Sequence, residues 1–412
     1  MNSRERILAA IHHQEPDRLP VDLGATPSSG ISAIAYHALL QHLGIQDGQT
    51  RVYDVVQQVA QPDEAVLARY RIDVVDVIRV FNERDEDWYD FSLPQGMTVQ
   101  YPAWFKPVRL PDGSLEAFDA EGTRLGVMPP GATFFDQTCF PYLDGYPEDF
   151  GNLGYWMGKV HWSALGKSAR KFSTEQEYWA ELRQGVLEMR QRSQRALLIG
   201  AGCNLFEWGT FLRRMDHFLM DLADDQANVE RLLDALVEKH LHTLEMVCQA
   251  VGDVADIVRF GDDLGTDQGP FMSPATYRKL FKPRHKLMVD YVKAHSQMRP
   301  YLHSCGSIYK LLPDLIEAGF EIINPVQTSA RDMQPEGLKR EFGDSLTFWG
   351  AGVDTRRILN RGTPQQVKED VRRNIEILSP GGGFVFNTVH NILPDVPPEN
   401  IAAMFEAIDE YR

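Results

Sequence analysis

The chain has 412 residues, of which 43% are hydrophobic, 24% charged and 10% aromatic, a composition that excludes disorder, collagen and extended coiled coil. Lys+Arg 42 against Asp+Glu 58 gives a net charge of −16 with no basic stripe, so nucleic acid and anionic membrane are poor partners. The length suits two or three ordinary domains or one α/β barrel.

The opening Met1-Asn2-Ser3-Arg4-Glu5-Arg6 runs into a short amphipathic pattern without the apolar core or cleavage site of a signal peptide. The longest uncharged apolar stretches, such as Ala196 to Leu205, reach about half of the ~20 residues that a membrane span needs. A cytoplasmic protein is expected. In that compartment Cys139, Cys203, Cys248 and Cys305 are read as thiols or metal ligands, not as a disulfide framework.

Strand-like runs alternate with amphipathic helices along most of the chain. The runs are Leu19–Leu23, Asp73–Ile78, Leu197–Cys203, Ala255–Phe260, Arg299–His303, Glu321–Pro325, Leu346–Gly350 and Gly383–Thr388. Between them, Thr174-x-x-Glu177 caps a helix over Glu175–Gln194, a long amphipathic helix covers Gln226–Val251, and Ser307–Glu317 stops at Gly319. Thr363-Pro364 opens a helix over Gln365–Leu378 that ends at Pro380-Gly381-Gly382-Gly383. Eight alternations predict an α/β fold, a (β/α)8 TIM barrel spanning residues 1–412, with its active site at the C-terminal strand ends. An open doubly wound sheet is the alternative. Residues 82–166 break the rhythm with Pro, Gly, aromatics, the turn Pro111-Asp112-Gly113 and short alternating pieces at Met97–Tyr101 and Thr123–Met128. They read as a β-rich insertion after the second strand, serving as lid, interface or plain surface.

The sharpest chemical feature is His303-Ser304-Cys305-Gly306 at the end of a predicted strand. Residues two apart on an extended chain share a side, so one imidazole and one thiolate can converge on one cation. His390 ends the last predicted strand and opens onto the same barrel mouth. Three protein ligands make the catalytic zinc arrangement; the plainer reading is a satisfied histidine beside a buried thiol. Asp262 and Asp263 end the fourth strand, and Glu207 follows the third. Asp263 and Glu207 are the candidate catalytic carboxylates, against a turn or solvated role, while Asp262 either contacts substrate or caps locally. Gln327, Asp354 and Trp208 are candidate substrate contacts at other strand ends, with packing as the alternative for Trp208, Phe206, Trp156 and Trp162. Cys203 reads as a small core residue. Gly200-Ala201-Gly202 is too short for a nucleotide fingerprint.

The opening Arg4-Glu5-Arg6 to Pro16-Asp17-Arg18-Leu19-Pro20-Val21-Asp22, the His303-x-Cys305-Gly306 element and the ending Pro394-Asp395-Val396-Pro397-Pro398-Glu399-Asn400 resemble the uroporphyrinogen decarboxylase superfamily. Within it the resemblance is to the zinc-dependent corrinoid-linked methyltransferases. It spans nearly the whole chain and implies a TIM barrel. It also implies a zinc held by His303, Cys305 and His390, a small methylated or thiol substrate, and a corrinoid (cobalamin) carried by a partner protein. The chain lacks an Asp-x-His-x-x-Gly segment that would carry the corrinoid itself. His390 stands where those methyltransferases usually have a second cysteine. One thiolate in place of two leaves about +1 on the zinc site, which favours activating a methyl donor over a thiol acceptor. The alternative is that His390 does acid–base work off the metal. The decarboxylase branch fits less well, because the loop Leu23-Gly24-Ala25-Thr26-Pro27-Ser28-Ser29-Gly30 has no arginine to grip carboxylates and no aspartate follows Asp73–Ile78 at the matching place. A metal-free decarboxylase and a non-catalytic tetrapyrrole- or corrinoid-binding barrel remain the alternatives, and homo-oligomerisation is left open.

Overall fold

In the computed structural model, which describes residues 1–94 and 96–411, the alternating runs form a curled parallel sheet of seven strands. In order these are Val74–Asp76, Ala196–Gly202, Ile257–Gly261, Arg299–His303, Ile322–Asn324, Thr347–Trp349 and Phe384–Val385. Spatial neighbours follow chain order, as right-handed βα crossovers around a barrel require. The eighth expected strand, Leu19–Leu23, contracts to a bridge of Val21 with Phe386. It still closes the ring. Asp22 N donates to Phe386 O (2.9 Å), Phe386 N to Pro20 O (2.9 Å), and Asp73 N to Val21 O (2.9 Å), so Pro20–Asp22 joins both free edges.

The caps read from sequence act locally. Thr174 Oγ1 accepts from Glu177 N at 3.1 Å, and Thr363 and Gln366 exchange side-chain bonds as a capping box. Gly319 takes a left-handed φ of 100° and ends the helix Leu312–Ala318. The Glu175 helix stops at Arg192, two residues before expectation.

The helix Ser3–Ile11 plugs the floor of the barrel. Its Ile7, Ala10 and Ile11 pack with inward residues of the sheet, among them Val74, Leu198, Ile257, Tyr301, Ile322 and Trp349. Asp73, fully buried just before its strand, receives Arg6 Nη1 (2.8 Å), Arg18 Nη2 (2.6 Å), Arg18 Nη1 (2.8 Å) and Val21 N (3.0 Å). Asp256 plays the same part before the next-but-one strand, taking Arg4 Nε (2.6 Å), Arg190 Nη2 (2.7 Å) and Leu197 N (2.9 Å).

Between Asp76 and Ala196 the chain builds two antiparallel sheets. One is the hairpin Trp88–Ser92 with Thr98–Pro102; the other has four strands, with Arg124–Met128 beside Leu115–Phe118. A third small sheet, Ile31–Ser32, Val52–Asp54 and Val59–Ala60, and the helix Ala33–Leu43 fill a stretch in which the residue pattern predicts no element. Among the described residues no helix is long and apolar enough to cross a membrane.

Because Arg6 and Arg18 converge on one buried carboxylate, Asp73→Ala strands the Arg18 guanidinium at the barrel floor and leaves Arg6 with Asp17 as its remaining carboxylate. Removing one partner of a buried pair costs about 3–5 kcal/mol, so the urea midpoint of this variant is expected to fall sharply. A midpoint within error of the parent protein would show that the network does not close the barrel.

Candidate functional site

Strand parity decides what faces the mouth. Tyr301 and His303 are inward residues of one strand, Asn324 is level with His303 on the next, and Gly261 is level with it on the other side. Just past the strand end, Gly306 takes φ +84° against the backbone of Gly265, where any Cβ would lie 2.4 Å from Gly265 C and O. Only glycine permits that crossing, and it brings Cys305 N within 2.8 Å of Asp263 Oδ1.

His303, Cys305 and His390 come together here, with one ligand atom of each within 4.8 Å of the other two. His303 Nε2 lies 3.5 Å from Cys305 Sγ, and the two imidazole rings meet edge to face at 5.6 Å. Asn324 Nδ2 donates to Trp349 O (2.8 Å), which turns its Oδ1 toward His303 Nδ1 (2.6 Å). The hydrogen-bond pattern therefore assigns the His303 proton to Nδ1 and leaves Nε2 as a donor atom for a cation. His390 Nδ1 is likewise 2.7 Å from Asn391 Oδ1.

These residues fit a zinc ion by their chemistry. Ligand atoms around tetrahedral zinc stand about 3.3–3.8 Å apart, a spacing the His303–Cys305 pair already has. Burial first, and then the charge of Arg259, push His303 well below the usual imidazole range; burial also lowers His390, so protons compete weakly for both rings. Burial and the neighbouring Asp263 push the Cys305 thiol up, which keeps it protonated until a cation stabilises the thiolate.

Asp263 sits at the rim with its side chain 36% exposed and Oδ1 3.7 Å from His303 Nε2. Glu207 is half-buried on the helix Phe206–Arg213, its Oε2 accepting from Asn204 Nδ2 at 2.5 Å. Burial, then the nearby Asp263 and Asp262, raise its carboxyl well above the ordinary glutamate range. Asp262 is placed differently from a substrate contact. It is fully buried, and its oxygens accept from Phe206 N (3.1 Å) and Glu207 N (2.9 Å) and face His285 Nε2 (3.2 Å). It anchors the helix that carries Glu207.

Gln327 is also committed to scaffolding, bonded to Gly306 N (3.0 Å) and Asp267 (2.7 Å). Asp354 accepts from Arg356 N and Arg357 N as a turn residue. Trp208 stacks edge-on with Phe211 at 5.8 Å. Cys203 is buried, as expected of a core residue. Sequence reasoning missed Asn324 and Arg259, whose signal is inward parity: each is a polar residue on the core side of a barrel strand.

The sequence profile of the Uroporphyrinogen decarboxylase (URO-D) family matches residues 189–411. A uroporphyrinogen decarboxylase of Pseudoalteromonas translucida is 36% identical over 73 residues, 18% of this chain and 20% of that protein. Methylcobamide:CoM methyltransferase MtaA of Methanosarcina barkeri is 29% identical over 161 residues, 38% of this chain and 42% of its own. The chain thus spans well under half the length of these relatives. A solved methyltransferase from Methanosarcina mazei shares the fold, with TM-score 0.58 at 16% identity over 100% of this chain and 99% of its own.

Loss of an orienting hydrogen bond to a ligand histidine commonly weakens metal binding about 10–100-fold. Asn324→Val is therefore expected to raise the zinc dissociation constant by about that factor in a chelator competition, and alanine at His303, Cys305 or His390 to lower metal content further. Zinc retention unchanged in all four folded variants would rule out the centre.

Proposed function

The chain belongs to the uroporphyrinogen decarboxylase family, and on that premise we propose that it is a zinc-dependent methyltransferase that moves a methyl group between a small methylated or thiol substrate and a corrinoid on a partner protein. The observation that carries this reading is the convergence of His303, Cys305 and His390 within 4.8 Å at the mouth of the barrel. The MtaA similarity supports it, since that relative's name pairs a methylcobamide with CoM.

His303, Cys305 and His390 would hold one zinc, which when bound acts as a Lewis acid on the heteroatom that bears or accepts the methyl group. The chain's own residues supply the rest. Asn324 and Asn391 hold the two imidazoles in orientation. Asp263 fixes Cys305 through its backbone N–H. Glu207, kept protonated by burial, would give its proton to the departing heteroatom, which would retain the electron pair of its broken bond to the methyl carbon; a reduced corrinoid, when bound, would supply the nucleophile for that methyl group.

A decarboxylase reading predicts arginines that grip several carboxylates. The loop 23–30 offers none, and Thr26 and Ser29 close it on themselves with reciprocal bonds.

Zinc-loaded protein mixed with cob(I)alamin and a panel of methyl ethers, thioethers and amines is expected to form methylcobalamin, read by its absorption. Glu207→Gln should slow that step by about 10²–10⁴-fold at unchanged zinc content. Accumulation of coproporphyrinogen from uroporphyrinogen at an enzymatic rate would instead establish the decarboxylase.

A further inference from the structure

One layer below the metal-ligating residues, the barrel interior holds Arg259, a cation without a close ion pair among the described residues. Arg259 lies level with Tyr301 on one neighbouring strand and with Gly200 on the other, two residues beneath the Gly261–His303 level. Its hydrogen bond among the described residues is Nη2 to Ser28 Oγ (3.1 Å), while its Nε is buried without a partner. The Tyr301 hydroxyl beside it is also buried and unpartnered.

The nearby carboxylates are otherwise engaged. Asp54 accepts from Val56 N, Gln57 N and Gln57 Nε2, Asp263 from Cys305 N, and Asp76 from Ile78 N. Burial pushes Asp76 up to about 7, which weakens its value as a counter-charge. A buried charge without a partner is costly, and so is a buried donor without an acceptor.

The layer also contains space. Gly200 is exposed inside the barrel, and a Cβ built on it would meet nothing within 4 Å. A cleft of about 1180 Å³ runs from Gly200 outward between the barrel and the segment that precedes it, past Lys106, Lys167 and Lys171. Asp119 and Glu175 line the cleft beside these lysines, and its inner end at Gly200 lies level with Arg259 on the neighbouring strand.

We infer that Arg259 and the Tyr301 hydroxyl form a subsite for one carboxylate, so that the small substrate of this mouth is an organic acid. The Nε edge of a guanidinium presents parallel N–H groups that match the two oxygens of a planar carboxylate, and on Arg259 the Nε half of that edge has no partner while Nη2 donates to Ser28 Oγ. One guanidinium suits one carboxylate, not the several of a porphyrinogen. The inference deepens the proposed function and rests on it only where the acid is taken to be the methyl donor.

The test is calorimetric titration of the zinc-loaded full chain with para-methoxybenzoate and methoxyacetate and with their neutral amides. At least one acid is expected to bind, with its amide about tenfold or more weaker. Arg259→Met should raise the dissociation constant of the acid about 10–100-fold and erase the preference over the amide. Tyr301→Phe, which removes only a hydroxyl, should weaken the acid alone and carries the test if Arg259→Met fails to fold. Equal binding of acid and amide overturns the subsite, as does acid binding unchanged in both variants or no acid binding at millimolar concentration. Acid binding without methyl transfer to any corrinoid keeps the subsite and removes the methyltransferase reading. Equal demethylation of the neutral amide by parent and Arg259→Met, with no preference for the acid, does the reverse.

Discussion

Everything at the mouth of this barrel depends on how its floor is closed. Asp73 is wholly buried and bound by Arg6 and Arg18, so three charged groups from widely separated parts of the chain are locked into one geometry. Such a network is a poor source of net stability compared with apolar packing, but it tolerates little displacement, because each unpaired charge would stay buried. It fixes Pro20–Asp22 against both edges of the sheet and so sets the circumference. With the circumference set, parity along each strand determines which side chains meet.

The interior is then graded. At the floor Ile7, Ala10, Val74, Ile257 and Ile322 make a dry core. Above it come Tyr301 and Arg259, and at the top His303 and Asn324. Polarity rises along the strands: His303 and Asn324 at the top are hydrogen-bonded to each other, whereas Arg259 Nε and the Tyr301 hydroxyl are among the buried polar atoms without a partner among the described residues. Rigid strands therefore hold the donors while short turns add the remaining pieces. The Gly265–Gly306 crossing and the Asp262 anchor beneath Glu207 are the two turns that aim side chains at the cluster.

The barrel was legible in the sequence because its strands are buried on both faces and read as apolar runs, and because its helix caps use ordinary chemistry. Leu19–Leu23 shortened to a bridge because Pro20 lacks an N–H to donate to a ladder. The small sheet at Ile31–Ser32, Val52–Asp54 and Val59–Ala60 was invisible because strands of two or three residues leave no periodicity to detect. At the site, the i, i+2 spacing of His303 and Cys305 carried its own geometry. Asp262 and Asp263 are adjacent in sequence yet point to opposite environments, one sealed beneath a helix and one at the rim, a difference that alternation permits but sequence alone does not assign. The opening Arg4-Glu5-Arg6 and Asp17-Arg18, part of the resemblance read from the sequence, work at the floor, at the end opposite to the candidate site.

The charge distribution has the same logic. A net charge of −16 gives the molecule as a whole a field that repels anions. That field is screened within about a Debye length, some 8 Å at physiological ionic strength, so it shapes approach and not the interior. Inside, low dielectric strengthens the field of Arg259, which has no close ion pair among the described residues although Asp54, Asp76 and Asp263 feel its charge. An acid substrate would therefore be selected by a short-range well within a long-range barrier. Discrimination of that kind favours a molecule small enough to leave the barrier behind once it enters, and disfavours a large polyanion whose outer charges remain in the repulsive field.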